Sequence, residues 1–210
     1  MEEGCEYIKD INNCVQNCSI ICKKVIDNIN YYRALKICHG VNRDLKDIRD
    51  DLLDAFLSQG IIAACDLLID HDSPINYIKI QNKISNECIE KIRKKQIMKK
   101  MTDWSDMYKK GEEYSILTDK NKGIRFLRDK VFAHTDNQGL FLDIADEIID
   151  GLAKVINRLY ELYRELLSGL ADDDERALIA RAQPSVNKNM QQSMDKATLL
   201  TGLFIENKKQ

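Results

Sequence analysis

Apolar residues recur at three- and four-residue steps along most of this chain, and little interrupts them. Tyr7, Ile8, Ile11, Val15, Cys18, Cys22, Val25, Ile26 and Ile29 form the first such stripe, as an amphipathic helix requires. Only two prolines and nine glycines punctuate 210 residues. Helices can therefore run long, and a turn-rich β fold is disfavoured. With 44% hydrophobic and 31% charged residues, the chain has the material for a packed core. That composition excludes a disordered or collagenous chain.

The first stripe predicts a helix from about Glu3 to Ile37, stopped by His39 and Gly40. A second helix is expected from about Asn42 to Asp70, with Gly60 marking close packing or a kink. Ser73 and Pro74 then suit the cap and first turn of a third helix, carrying Ile75, Ile78, Ile84, Cys88, Ile92 and Ile97 to about Met101. From Thr102 to Thr118 the pattern weakens, with Trp104, Met107 and Tyr108 as a short helix. Thr118 or Asp119 caps a fourth helix containing Ile124, Phe126, Leu127 and Val131. A fifth is expected from near Leu140 to about Leu167. Beyond it, "ADDDERALIARAQP" reads as a short helix with an acidic first turn, "SVNKNMQQSMDK" is polar, and "ATLLTGLFI" is an apolar patch, docked or dimer-bound. The expected fold is an all-α antiparallel bundle of about five core helices over residues 3–168. Residues 171–210 form a C-terminal helical appendage or dimerisation arm.

Charge narrows the partners. The net charge is -2 and the pI about 6.0, so any contact with nucleic acid must come from a local patch. The N-terminus carries acids where a secretory signal needs positive charge. The most apolar run, Gly60 to Ile69, is too short to span a bilayer and contains Asp66. A soluble cytoplasmic protein with no membrane partner is expected. Seven cysteines without an export signal argue against a disulfide framework. Cys14, Cys18 and Cys22 stand four residues apart on one drifting helical stripe. They can pack as small apolar residues or share a metal ion, but they lack the tight turn of a metal knuckle. In "DLLIDHDSP", Asp66 and Asp70 share a helix face while His71 and Asp72 point elsewhere, which fits a solvated helix end better than a metal site.

Two stretches bear on chemistry. The run "KIRKKQIMKKM" gathers Lys91, Arg93, Lys94, Lys95, Lys99 and Lys100, with isoleucines and methionines between them. It is an amphipathic helix whose basic face is either plainly solvated or tracks RNA phosphates. In "LRDKVFAHTD", Arg128 offers a planar fork of donors suited to phosphate, and His134 a proton donor and acceptor near neutral pH. Such a pair can cleave RNA without metal, with histidine moving protons and arginine stabilising the phosphorane. On an ideal helix the two side chains lie roughly 120° apart, so they converge only if the helix ends between them or two chains share a cleft. The plain alternative is a charged helix end with a capping histidine.

The same stretch resembles the signature of the HEPN superfamily: an arginine, usually a polar residue, then a histidine after four to six positions. Arg128, Asp129 and His134 match it with five intervening residues. With Asp136 following, the string looks most like the abortive-infection, AbiU-type branch. The resemblance covers about Glu3 to Ser168. It implies a dimerising helical domain that sets two Arg–His pairs in one cleft and cuts RNA without metal or cofactor, as a toxin or antiphage effector with a possible protein antitoxin. It implies catalytic roles for Arg128 and His134. Asp129 would orient Arg128 or the RNA, and Asp136 would support His134. Some members carry a tyrosine two places after the histidine, which an antitoxin modifies; Asp136 stands there instead. Other members are inactive and only bind protein, RNA or nucleotide partners.

Overall fold

The computed structural model describes residues 2–38, 41–86, 91–133, 146–170 and 186–205, without the side chains of 2–10, 91–93, 130–133, 170, 186 and 190. Among the described residues, eight α-helices pack against one another, with no strand beyond one bridge between Val41 and Ile205. None of the described helices is long and apolar enough to cross a membrane.

Helix α1, Glu2–Lys36, is the axis of the bundle. Its stripe from Ile11 through Val15, Cys18, Cys22, Val25 and Ile29 is buried, as the periodicity predicts. Three further helices pack along it: α2 (Lys46–Leu68), α7 (Asp146–Leu170) and α8 (Val186–Gly202). The second helix starts later than expected. Asn42 caps a 3-10 turn, Arg43–Leu45, by accepting the Asp44 N–H at 3.0 Å, while its own N–H reaches the Phe204 carbonyl. Helix α2 then runs through Gly60, whose missing side chain faces Asn28 and Ile29 of α1.

The third helix departs most from expectation. Two turns, Asp70 to Ser73 and Ser73 to Asn76, follow α2. The cap is buried Asn76, whose side chain accepts the Ile78 N–H, and not Ser73. Helix α3, Tyr77–Asn86, is short, and α4, Lys91–Lys110, folds back beside it. Tyr77 and Trp104 have ring centroids 5.0 Å apart; one straight helix would hold them about 40 Å apart at its usual rise per residue. Trp104 and Tyr108 therefore belong to α4 and to no separate short helix. Helix α5, Glu112–Thr118, and helix α6, Ile124–Ala133, complete this side. Asp119 caps the turn between them, accepting the N–H groups of Asn121 and Lys122, while Thr118 bonds back to the Tyr114 carbonyl. Neither is the cap of α6.

The expected start of the fifth helix near Leu140 and the acidic helix at 171–184 lie outside the described residues. What reads as a polar stretch and a separate apolar patch is one helix, α8, with Ser193 bonded to Asn30 of α1 at 3.2 Å. Phe204, just beyond α8, is buried in the same core as α1.

The described cysteines are free, and Cys18, Cys22, Cys38 and Cys65 are buried. Burial pushes the Cys18 thiol up to about 12, with neighbouring Cys14 adding to it, and Cys22 well above its ordinary value. Both stay protonated at neutral pH and inert. Cys18, Cys22 and Cys65 are expected to resist a thiol reagent at pH 8 until denaturant is added. Peptide mass mapping checks this, and labelling at a free thiol's rate in the native protein contradicts it.

Candidate active site around Arg128

Helix α6 carries Arg128, and a tight turn aims that helix. Gly123 donates its N–H to the Asp119 carbonyl at 2.8 Å and accepts from Leu127. A Cβ at this position would meet the Leu117 carbonyl oxygen and come within 2.6 Å of that of Asp119. Both are backbone and cannot swing aside. Gly123→Ala should therefore cost about 1–3 kcal/mol and displace the start of α6. Thermal unfolding measures the cost, and an unchanged melting temperature contradicts it.

Arg128 is held on two sides. Its Nε and Nη2 donate to one Asp129 oxygen at 3.1 and 3.0 Å, and its Nη1 donates to Asp70 at 3.2 Å. Asp70 lies just past the end of α2, where its N–H and that of Ile69 share the Cys65 carbonyl. Its carboxylate also accepts the Asp72 N–H at 3.1 Å. That bond, with help from the Arg128 and Arg125 guanidinium groups, holds the Asp70 carboxyl below the usual carboxylate range. A depressed carboxyl favours the folded state above its unfolded value, and the benefit is lost as pH falls through the folded one. The clamp therefore holds at neutral pH and opens only in acid. Asp66, one turn back, is shifted upward by burial and then by Asp70. Cys65 ties α2 to α6 directly through the Ile124 carbonyl at 3.4 Å. The Arg128 side chain is 18% exposed. Three of its five N–H groups are used among the described residues, which leaves two for a further acceptor.

His134 and Asp136 lie outside the described residues, so the structure gives the arginine half of the expected pair. The backbone of Lys91 and Arg93 opens α4, but their side chains lie outside the described residues. Lys94, Lys95, Lys99 and Lys100 follow on the same helix. Lys100 pairs with Glu165 of α7 at 2.6 Å. From Lys99 to the cleft end of α4, at Lys109, is about 15 Å along the helix axis.

Beside Asp129 opens a cleft of about 700 Å³ between α2, α3, α4, α5 and α6. Leu68, Tyr77, Ile78, Tyr114 and Phe126 are among its lining. Its cations are Lys109, Lys120 and Arg125, and His71 also lines it. Sequence reading singles out none of Tyr114, Lys109, Lys120 and Arg125, and places Asp70 and His71 at a solvated helix end. Arg125 had a signal, since it stands three residues before Arg128 on one helix face. Asp70 had none, being 58 residues away from its partner. No family model matches the chain, and neither a curated protein nor a solved structure matches it.

Proposed function

We propose that the protein is a HEPN-type endoribonuclease that needs no metal ion. It acts as a homodimer in which Arg128 and His134 of both copies face one cleft. The observation that supports this reading best is the seating of Arg128, with its guanidinium fixed by Asp70 and Asp129 and two N–H groups without an acceptor among the described residues. An arginine so pre-organised suits the charge that gathers on a phosphorane. His134 accepts the proton of the 2′-hydroxyl as the 2′-oxygen bonds to phosphorus. The bond from phosphorus to the 5′-oxygen breaks, and that oxygen takes up a proton. The products are a 2′,3′-cyclic phosphate and a 5′-hydroxyl. The role as a cytoplasmic toxin or antiphage effector, with an antitoxin partner, rests on the resemblance of "LRDKVFAHTD" alone.

One observation favours a second reading, a non-catalytic helical module that binds a protein, RNA or nucleotide. Asp70 and Asp129 already neutralise Arg128, as they would in a structural ion pair. His134→Ala separates the two readings. It is expected to slow RNA cleavage about 10²-fold or more while RNA binding changes little. A variant that cuts as fast as the wild type removes His134 from the mechanism, and a wild type that binds RNA without ever cutting it leaves the second reading.

A further inference from the structure

We infer that the cleft beside Arg128 holds one unpaired nucleotide, with its base against Tyr114 and its phosphate among Arg125, Lys120 and Lys109. Its place next to a cut bond rests on the ribonuclease reading, whereas the binding itself does not.

Charge is the first ground. The three cations come from three places, α4, the turn before α6, and α6 itself, and none has an ion pair among the described residues. Elsewhere Lys36 pairs with Asp146 and Lys100 with Glu165 across helices. The cleft's two acids are already engaged. Asp119 accepts the N–H groups of Asn121 and Lys122, and Asp129 holds Arg128. Three cations against two carboxylates leave the lining net positive, which suits an anion.

The aromatic wall is the second ground. Tyr114 meets Tyr108 edge-on at 5.1 Å, Tyr108 stacks on Trp104 at 5.3 Å, and Tyr77 abuts both. This buried group of rings fixes Tyr114 while leaving it 37% exposed. A rigid ring at an open cleft is a stacking platform that costs little entropy to use. The volume of about 700 Å³ lies in the range that encloses a small organic ligand. A planar ring bearing a phosphate fits both grounds, and an acidic peptide fits only the first. Arg125 is one turn before Arg128 on the same face of α6, so a nucleotide in the cleft would adjoin a phosphate at Arg128. A base locked in a duplex cannot enter, so the cleft would select single-stranded RNA.

Titration calorimetry with AMP, ribose 5-phosphate, an acidic peptide and a short single-stranded RNA tests this. AMP should bind saturably and about tenfold more tightly than ribose 5-phosphate, an advantage that Tyr114→Ala abolishes and Tyr114→Phe keeps. Replacing both Lys120 and Arg125 by alanine should lower the salt dependence of RNA binding by about two counterions. RNA binding far tighter than AMP identifies an RNA subsite; equal affinity identifies a free-nucleotide site. Both results support the cleft. No saturable binding, ribose 5-phosphate binding as well as AMP, the acidic peptide outcompeting AMP, or Tyr114→Ala without effect overturns it. RNA cleavage is scored on the same samples. AMP binding without cleavage defeats only the ribonuclease reading. Cleavage unaffected by Tyr114→Ala, with no AMP binding, defeats only the cleft.

Discussion

Arg128→Ala is expected to slow RNA cleavage by about 10²-fold or more, the usual cost of removing one pre-organised charge stabiliser. The fold should tolerate the change. Arg128 lies near the surface of α6, and ion pairs to solvent-exposed carboxylates such as Asp70 add little to stability. Asp70 is 32% exposed and keeps the Asp72 N–H, so it is not left stranded. The melting temperature should fall by about 4 °C at most. Arg128→Lys should be nearly as damaging to activity, because an ammonium cannot hold both carboxylates and a phosphate with one planar fork. Asp70→Asn should cost less than either, since Asp129 still grips two of the guanidinium nitrogens. A cleavage rate unchanged in Arg128→Ala would mark the Asp70–Arg128–Asp129 cluster as a structural ion pair.

The largest effect on stability is expected at Trp104. Its side chain is 6% exposed and packs against Tyr77 and Tyr108, so it joins α3 to α4 and supports the wall behind Tyr114. Trp104→Ala removes the centre of that group and should cost about 3–5 kcal/mol. For a chain of this size that lowers the melting temperature by on the order of 10 °C. Trp104→Phe should cost clearly less, because it keeps a ring and removes an indole N–H that has no acceptor among the described residues. Thermal unfolding of both variants measures the difference. If alanine and phenylalanine melt together, the rings do not carry the packing between α3 and α4.

Those rings mark where sequence reading stopped. Long, continuous stripes such as Ile11 to Ile29 were legible because helical period and burial agree over many turns. That α3 and α4 lie side by side was not, since Ile84, Cys88 and Ile92 step by four across the boundary. Periodicity reports which face is apolar and is blind to a chain that doubles back. The caps misled for a related reason. Ser73 and Asp119 are good capping residues, but both serve turns, and buried Asn76 does the capping of α3. Of the site, Arg128 and Asp129 were legible as neighbours in one motif. Asp70, Tyr114 and Lys109 come from three other places in the chain, and only packing brings them to the cleft or the arginine.

The most direct measurement of the central claim is the end left on a cut RNA. Wild-type protein and a labelled single-stranded RNA are mixed in excess chelator, and the fragments are analysed by mass. Metal-independent attack by the 2′-hydroxyl predicts a 2′,3′-cyclic phosphate on one fragment and a 5′-hydroxyl on the other, at a rate the chelator does not change. Cleavage that requires a divalent metal and leaves a 5′-phosphate with a free 3′-hydroxyl would contradict the account.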